Sequence, residues 1–204
     1  MAREKQTGKA RVVAKAELPT RFGRFTIFGI QGGRANEEAV AIQHGRVKNG
    51  AAPLVRVHSQ CLTGDVFTSE RCDCRAQLEY SLRKIAKEPA GIVLYLPQEG
   101  RGIGLINKLK AYELQDRGLD TVEANRRLGF AADSRDYNFA ASALKALGVK
   151  SVRLLSNNPD KIEQLERGGV HVVKRIPCRP RTSHHSRAYL KTKQTKMGHL
   201  LADV

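Results

Sequence analysis

The chain of 204 residues has no tryptophan, and aromatic residues make up only 5% of it. Base-stacking platforms for single-stranded nucleic acid are therefore poorly supplied, which argues against an RNA-binding role. Long apolar runs are missing too: none approaches the ~20 residues needed to span a bilayer. The first residues, MAREKQTGKARVVAKAEL, are charged and lack the apolar centre of a signal peptide. The expected compartment is the cytoplasm, with no membrane partner, and structural disulfides are rare there. Acidic residues are scarce, 20 against 36 Lys and Arg, giving a formal charge of +16. That balance favours an anionic partner, whether nucleic acid, a membrane surface or a phosphorylated small molecule, and charge alone does not choose among them. Internal repeats and low-complexity tracts are absent as well, while a hydrophobic fraction of 41% suffices for a packed core.

Residues 1–10 read as a disordered basic tail, and 11–204 as one domain, because every candidate linker is short. From 11 to about 58 the texture is strand-like: RVVAKAEL, RFTIFGIQ, AVAIQHG and PLVRVHS, separated by glycine and charge. From 76 onward the period changes. Leu78, Leu82 and Ile85 are spaced for a helix, and the strand GIVLYLPQ follows at 91–98. Leu105, Leu109 and Tyr112 fall on one face of a second helix; Tyr137, Ala140, Leu144 and Leu147 mark a third, stopped by Gly148. Then come the strand SVRLLSNN, the helix KIEQLERGG, the strand VHVVKRIP and a helical stretch from about Tyr189 to Leu201. Alternating strands and helices after a strand-rich N-terminal part predict a three-layer α/β/α domain on a mixed sheet.

Three of the four cysteines, Cys61, Cys72 and Cys74, lie in CLTGDVFTSERCDCRAQLEYSL with the spacing C-x10-C-x-C. A C-x-C disulfide closes a cramped ring, whereas a metal takes both sulfurs at comfortable lengths, so metal outweighs disulfide or redox chemistry. A structural zinc site normally closes with four Cys or His ligands. Here the fourth is not evident: His58 precedes Cys61 on a strand-like segment, and distant Cys178 reads as a small buried residue. Three protein ligands with an open position is the pattern of a catalytic zinc; a closed site with a fourth ligand elsewhere is the alternative. Three thiolates more than cancel the metal's charge, so nearby cations or a general base should assist it.

The strand GIVLYLPQ runs into EGRGIGLINK, a glycine-rich turn opening a helix. Such a turn can present free N–H groups to phosphate. It is neither a P-loop nor a dinucleotide fingerprint, since Leu105 fills the last glycine position of the latter. Glu99 is suited to accept from a guanine-like N–H edge and Arg101 to contact phosphate. In GFAADSRDYNFA, Asp133 reads most simply as a helix N-cap and Arg135 as a partner of Asp133 or Asp136. Tyr112 alone would be placed in the core.

Taken together, VRVHSQCLTGDVFTSERCDCRAQLE, LYLPQEGRGIGLINKLKAYELQD, DTVEANRRLGFAADSRDY, LLSNNPDK and YLKTKQTKMGHLL closely resemble the GTP cyclohydrolase II family. The likeness covers most of the chain from about residue 20. It implies an enzyme of riboflavin synthesis, with one Zn²⁺ per chain and Mg²⁺ on the substrate triphosphate. Such an enzyme opens the guanine imidazole ring of GTP and releases formate and pyrophosphate. It also implies a homodimer. By the same resemblance Cys61, Cys72 and Cys74 are the zinc ligands, Asp133 a proton acceptor, Arg135 a nucleophile at the α-phosphorus and Tyr112 a residue of ring opening. Guanidinium stays protonated in ordinary surroundings, so charge stabilisation suits Arg135 better than attack. Arg56, Val57, His58, Ser59, Gln60, Gln77, Glu99, Gly100, Arg101, Thr121, Ser156 and Lys161 fall on GTP-binding positions. Three positions depart from the family's usual pattern: Gln60 replaces a glutamate, Ser156 a threonine and Arg75 a glycine. Gln60 raises the alternative of a specialised paralogue that stops at a formylated intermediate or feeds another pathway.

Overall fold

A computed structural model describes residues 9–34 and 37–180. The expected helix at 189–201 and most of the N-terminal tail lie outside the described residues. Seven strands form one mixed sheet: β1 Arg11–Thr20, β2 Gly23–Gln31, β3 Glu38–Gly45, β4 Leu54–Ser59, β5 Ala90–Leu96, β6 Ser151–Leu155 and β7 His171–Ile176. Their spatial order is β1-β2-β3-β5-β4-β6-β7. The pairs β1–β2, β2–β3 and β3–β5 run antiparallel, whereas β5–β4, β4–β6 and β6–β7 run parallel. The mixed α/β architecture expected from the sequence is the one found.

The helices are α1 Cys74–Ile85, α2 Leu105–Asp116, α3 Thr121–Arg127, α4 Asn138–Ala146 and α5 Pro159–Arg167. Strand alternation divides the core between the two sheet faces. On one face Val55, Val57, Ile92, Leu94, Val152 and Leu154 pack with Ala140, Leu144 and Leu165 of α4 and α5. On the other, Leu54, Val93 and Leu155 meet Leu82 and Ile85 of α1. The Leu78–Leu82–Ile85 stripe thus does what its spacing predicts, and each fully buried side chain contributes roughly 1.5–3 kcal/mol. Arg83 and Lys84 suit the negative end of α1, and Pro89 lies three residues past its C-cap, Ala86.

Two helices differ from what the sequence pattern predicts. Helix α2 turns Lys108 and Ala111 inward, while Ile106 and Leu109 are exposed. The reason is that α2 packs over the polar turn after β5 and not on the apolar core. The short helix α3, unforeseen in the run DTVEANRR, is held by a capping box in which Asp120 accepts from Val122 and Glu123 while Glu123 reaches back.

Because β5 and β6 flank β4 and run parallel to it, three strands end on the same edge. Segments 59–61, 98–101 and 156–158 therefore converge there. Crevices at the carboxyl ends of parallel strands are the usual ligand sites of such sheets.

Candidate metal centre and active site

The segment after β4 is fixed by carboxylates. The chain turns through a single π-helical turn, Leu62–Val66, closed by Phe67 N to Leu62 O at 3.2 Å, with Asp65 N bonded to Cys61 O at 2.6 Å at its start. Asp65 accepts from Cys61 N at 3.0 Å and Tyr95 Oη at 2.9 Å, and it receives His58 Nε2 at 3.1 Å. Glu99 accepts from Leu62 N at 2.6 Å. Two consecutive backbone N–H groups thus end on two buried carboxylates. Burial drives the His58 imidazole below its ordinary range, with Asp65 pulling back only in part, so it is neutral at pH 7. With Nε2 donating to Asp65, Nδ1 is left as a buried acceptor without a partner among the described residues. Burial and Asp65 push the Tyr95 phenol up, which keeps it a donor.

The ligand atoms of Cys61, Cys72 and Cys74 lie within 4.8 Å of one another. Cys61 Sγ and Cys72 Sγ are 3.6 Å apart, close to the ~3.8 Å edge of a tetrahedron built on Zn–S bonds of ~2.3 Å. Gly64 makes the room: a Cβ there would lie 3.0 Å from Cys72 Sγ and 3.2 Å from Cys61 Sγ. Soft sulfur donors, tetrahedral spacing and a cradle without a side chain all fit zinc. His58 faces Asp65, and Cys178 sits in the second core cluster against Asn157, so neither joins the sulfurs. Among the described residues the group has three ligands. The Cys72 and Cys74 thiols and Lys108 hold the Cys61 sulfur far below the ordinary thiol range, against the effect of burial. The same coupling pushes Cys72 up to about 11 and raises Cys74.

Two cavities meet at this group. The first, about 640 Å³, holds Gln60, the three cysteines, the Glu99–Arg101 turn, Tyr112 and Thr121. The second, about 510 Å³, holds Arg56, His58, Gln77, Ser156, Asn158 and Lys161. Ser59, Cys74 and Arg135 line both. Val57 and Asp133 line neither; the Val57 side chain faces the core, and its carbonyl accepts from Lys161 Nζ at 2.7 Å. Arg56 is buried on β4, with neutral partners: the Leu155 carbonyl at 3.1 Å and the Gln77 amide oxygen. Arg56 Nε, His58 Nδ1 and Asn158 Nδ2 are buried without hydrogen-bond partners among the described residues. Buried cations met by neutral groups are costly unless something anionic joins them.

Asp133 is no helix cap, since α4 starts only at Asn138. Its carboxylate takes the Arg135 backbone N–H at 3.1 Å and Nε at 2.8 Å, with Nη2 on the second oxygen. Burial raises the Asp133 pKa, but these bonds and the guanidinium charge outweigh it and keep the group ionised. The Glu99–Gly102 turn is strained: Arg101, not a glycine, sits at φ +61°. Its carbonyl accepts from Ser134 N at 3.0 Å. Gly102 brings the backbone so near that a Cβ would meet Ser134 O at 3.0 Å. Gly102 thereby locks this turn to the segment carrying Asp133 and Arg135. Both Glu99 oxygens are engaged within the protein, by Leu62 N, Gly100 N and Lys108 Nζ.

Tyr112 belongs to the cleft. Its hydroxyl meets Thr63 Oγ1 at 3.2 Å, and Arg71 stacks over the ring at 4.8 Å. Burial raises its pKa while Thr63 and Lys108 oppose, and the phenol stays protonated at neutral pH. Lys108, Thr63, Gly64 and Asp65 were not foreseen as site residues. For Lys108 the available signal was its place one helical turn before Tyr112.

Fold and site together describe an α/β protein that sets three cysteines able to hold a metal beside a cation-lined cleft. Residues 10–177 match the family described as GTP cyclohydrolase II, and the chain belongs to that family. It is 49% identical over 192 residues to GTP cyclohydrolase-2 of Buchnera aphidicola subsp. Acyrthosiphon pisum (strain APS), covering 94% of this chain and 99% of the relative. It is 52% identical over 189 residues to GTP cyclohydrolase-2 of Hahella chejuensis (strain KCTC 2396), covering 93% and 91%. Among solved structures, RibBX, a two-domain 3,4-dihydroxy-2-butanone 4-phosphate synthase from A. baumannii, shares 16% identity at a TM-score of 0.37. That likeness covers 75% of this chain and 35% of the other, too distant to bear on the site. Among the described residues no helix is long and apolar enough to cross a membrane.

Proposed function

We propose that this protein hydrolyses GTP with zinc at Cys61, Cys72 and Cys74, opening the guanine imidazole ring. Formate leaves from C8, pyrophosphate leaves from the triphosphate, and a diaminopyrimidinone ribosylamino phosphate remains for riboflavin synthesis. Bound at the three sulfurs, zinc supplies a Lewis acid that lowers the pKa of water. The observation that carries the reading is the junction of two cavities at Cys74 and Arg135. One cavity brings a base edge to the sulfurs and the other receives the phosphates.

Within that frame Arg56, Arg135 and Lys161 bind the triphosphate, whose charge Mg²⁺ would help to neutralise, and withdraw charge as water attacks the α-phosphorus and its bond to the departing pyrophosphate breaks. Asp133 sets the direction of the Arg135 fork through its two-point contact. As an ionised carboxylate it also accepts a proton, though as a weak base. Tyr112, protonated and oriented by Thr63, donates a hydrogen bond or a proton during ring opening. We assign the working form as a cytoplasmic homodimer.

The test is one incubation of purified, zinc-loaded protein with GTP and Mg²⁺, following formate, pyrophosphate and the pyrimidine together. Equal release of formate and pyrophosphate supports the full reaction. Pyrophosphate without formate places the stop at deformylation and makes the protein the specialised paralogue that Gln60 suggests. GTP binding with no turnover defeats the enzymatic reading.

A further inference from the structure

Lys108 is 9% exposed, and its ammonium has three polar neighbours. These are Cys61 Sγ at 3.1 Å, Thr63 Oγ1 at 2.8 Å and Glu99 Oε1 at 2.8 Å. An ammonium has three N–H bonds, so each can be directed to one neighbour inside the protein. A Cβ on Gly100 would come within 3.1 Å of Lys108 Cβ, so the strained turn passes close beside this side chain and has no room for a larger residue there. Glu99 by itself does not explain the arrangement, because Leu62 N and Gly100 N already supply its carboxylate with donors.

We propose that Lys108 is a positioning residue for the metal centre: it donates to the Cys61 sulfur, fixes that ligand's direction and draws electron density from it. The inference rests on the zinc-dependent reading above. Three thiolates on a divalent ion leave one net negative charge, and the ammonium, shared with the Glu99 carboxylate, offsets part of it beside the sulfur. A metal held by three sulfurs then keeps more of its acidity than the thiolates alone would leave it. Groups that hydrogen-bond to metal ligands commonly tune a site by this route. The same ammonium reaches the substrate side. Thr63 Oγ1 lies between Lys108 Nζ and Tyr112 Oη, so the lysine also sets the hydroxyl that orients the tyrosine.

The test uses the full-length protein loaded with Co²⁺, whose sulfur-to-metal charge-transfer band reports electron density on the thiolates. Losing the donor raises the sulfur lone pairs, so the band of Lys108→Gln moves to longer wavelength. Lys108→Arg keeps the charge and the N–H and holds the band near its original place. With zinc, kcat for GTP falls about 10–100-fold in Lys108→Gln, while KM changes little. A Lys108→Gln band at the original wavelength, or a Lys108→Arg band displaced as far, overturns the proposal. Should the lone Glu99 carboxylate prevent Lys108→Gln from folding, Lys108→Gln with Glu99→Gln is compared with Glu99→Gln alone, and the same displacement decides. Unsubstituted protein that takes up no Co²⁺ or leaves GTP intact defeats the underlying reading; normal protein with an unmoved variant band defeats this inference alone.

Discussion

Replacing Gly64 by alanine should weaken the metal centre without altering a ligand. The new methyl group would stand 3.0 Å from Cys72 Sγ, 3.2 Å from Cys61 Sγ and 3.2 Å from Cys74 Cβ, all inside ordinary contact distance. None of these neighbours is the free end of a long side chain. A cysteine relieves the clash by rotating about χ1, which swings its sulfur off the common centre, or by moving a backbone that Asp65 and Glu99 hold. Overpacking of this kind costs about 1–3 kcal/mol. At about 1.4 kcal/mol per factor of ten, metal retention should fall roughly 5- to 150-fold if the strain is felt in the loaded state. Competition for zinc against a chromophoric chelator at fixed pH reads the change, with circular dichroism establishing that the fold is intact. A folded Gly64→Ala protein that holds zinc as tightly as the unsubstituted one would refute the cradle argument.

Tyr112→Phe removes the hydroxyl that meets Thr63 while leaving the ring under Arg71; formate release should slow at least tenfold, by the usual scale of lost acid-base catalysis, while pyrophosphate release persists, and an unchanged product ratio would count against the tyrosine. Gln60→Glu adds a negative charge to the cavity that holds the sulfurs; it should shift the Mg²⁺ dependence or the affinity for GTP, and if titration moves neither, the glutamine is neutral. Asp133→Asn should cost up to about 3 kcal/mol at pH 7 by leaving Arg135 half-buried beside a neutral amide. The folded-state pKa of Asp133 is lowered, so its stabilisation is present above the unfolded value near 3.8 and is lost as pH falls through the folded one. Urea unfolding at pH 7 and pH 3 should show the gap between the two proteins closing in acid, and a constant gap would rule out the linkage.

The sheet and its helices were readable where one period dominated. The stripe on α1 and the continuous apolar run of β5 each announce one face or two buried faces. Helix α2 misled because the residues that face inward are chosen by what they meet. Lys108 has the pattern of a solvated lysine until Cys61 and Glu99 are brought to it by tertiary contact. Short, polar α3 depends on a capping box more than on periodicity. At the site, cysteine spacing disclosed the sulfur group, since all three ligands lie within one stretch. The carboxylates behind that group were not legible, because Asp65 joins β4 to β5 and Glu99 joins the turn after β5 to the loop after β4. Gly102 was legible as a glycine turn but not as the lock against Ser134. Nothing in the local sequence distinguishes an approach to a ligand from an approach to another loop.

The two halves of the site differ in how far along the chain their parts must travel. The three sulfurs are brought together by closing a short loop, whereas Arg56 reaches the Leu155 carbonyl across a separation of 99 residues. Loop closure costs less for near neighbours, and pairings between distant strands form slowly. During refolding with zinc present, the sulfur group should capture metal while the parallel half of the sheet is still assembling. Metal uptake would then run ahead of the return of GTP binding, and the interval between them would time the docking of β6 against β4.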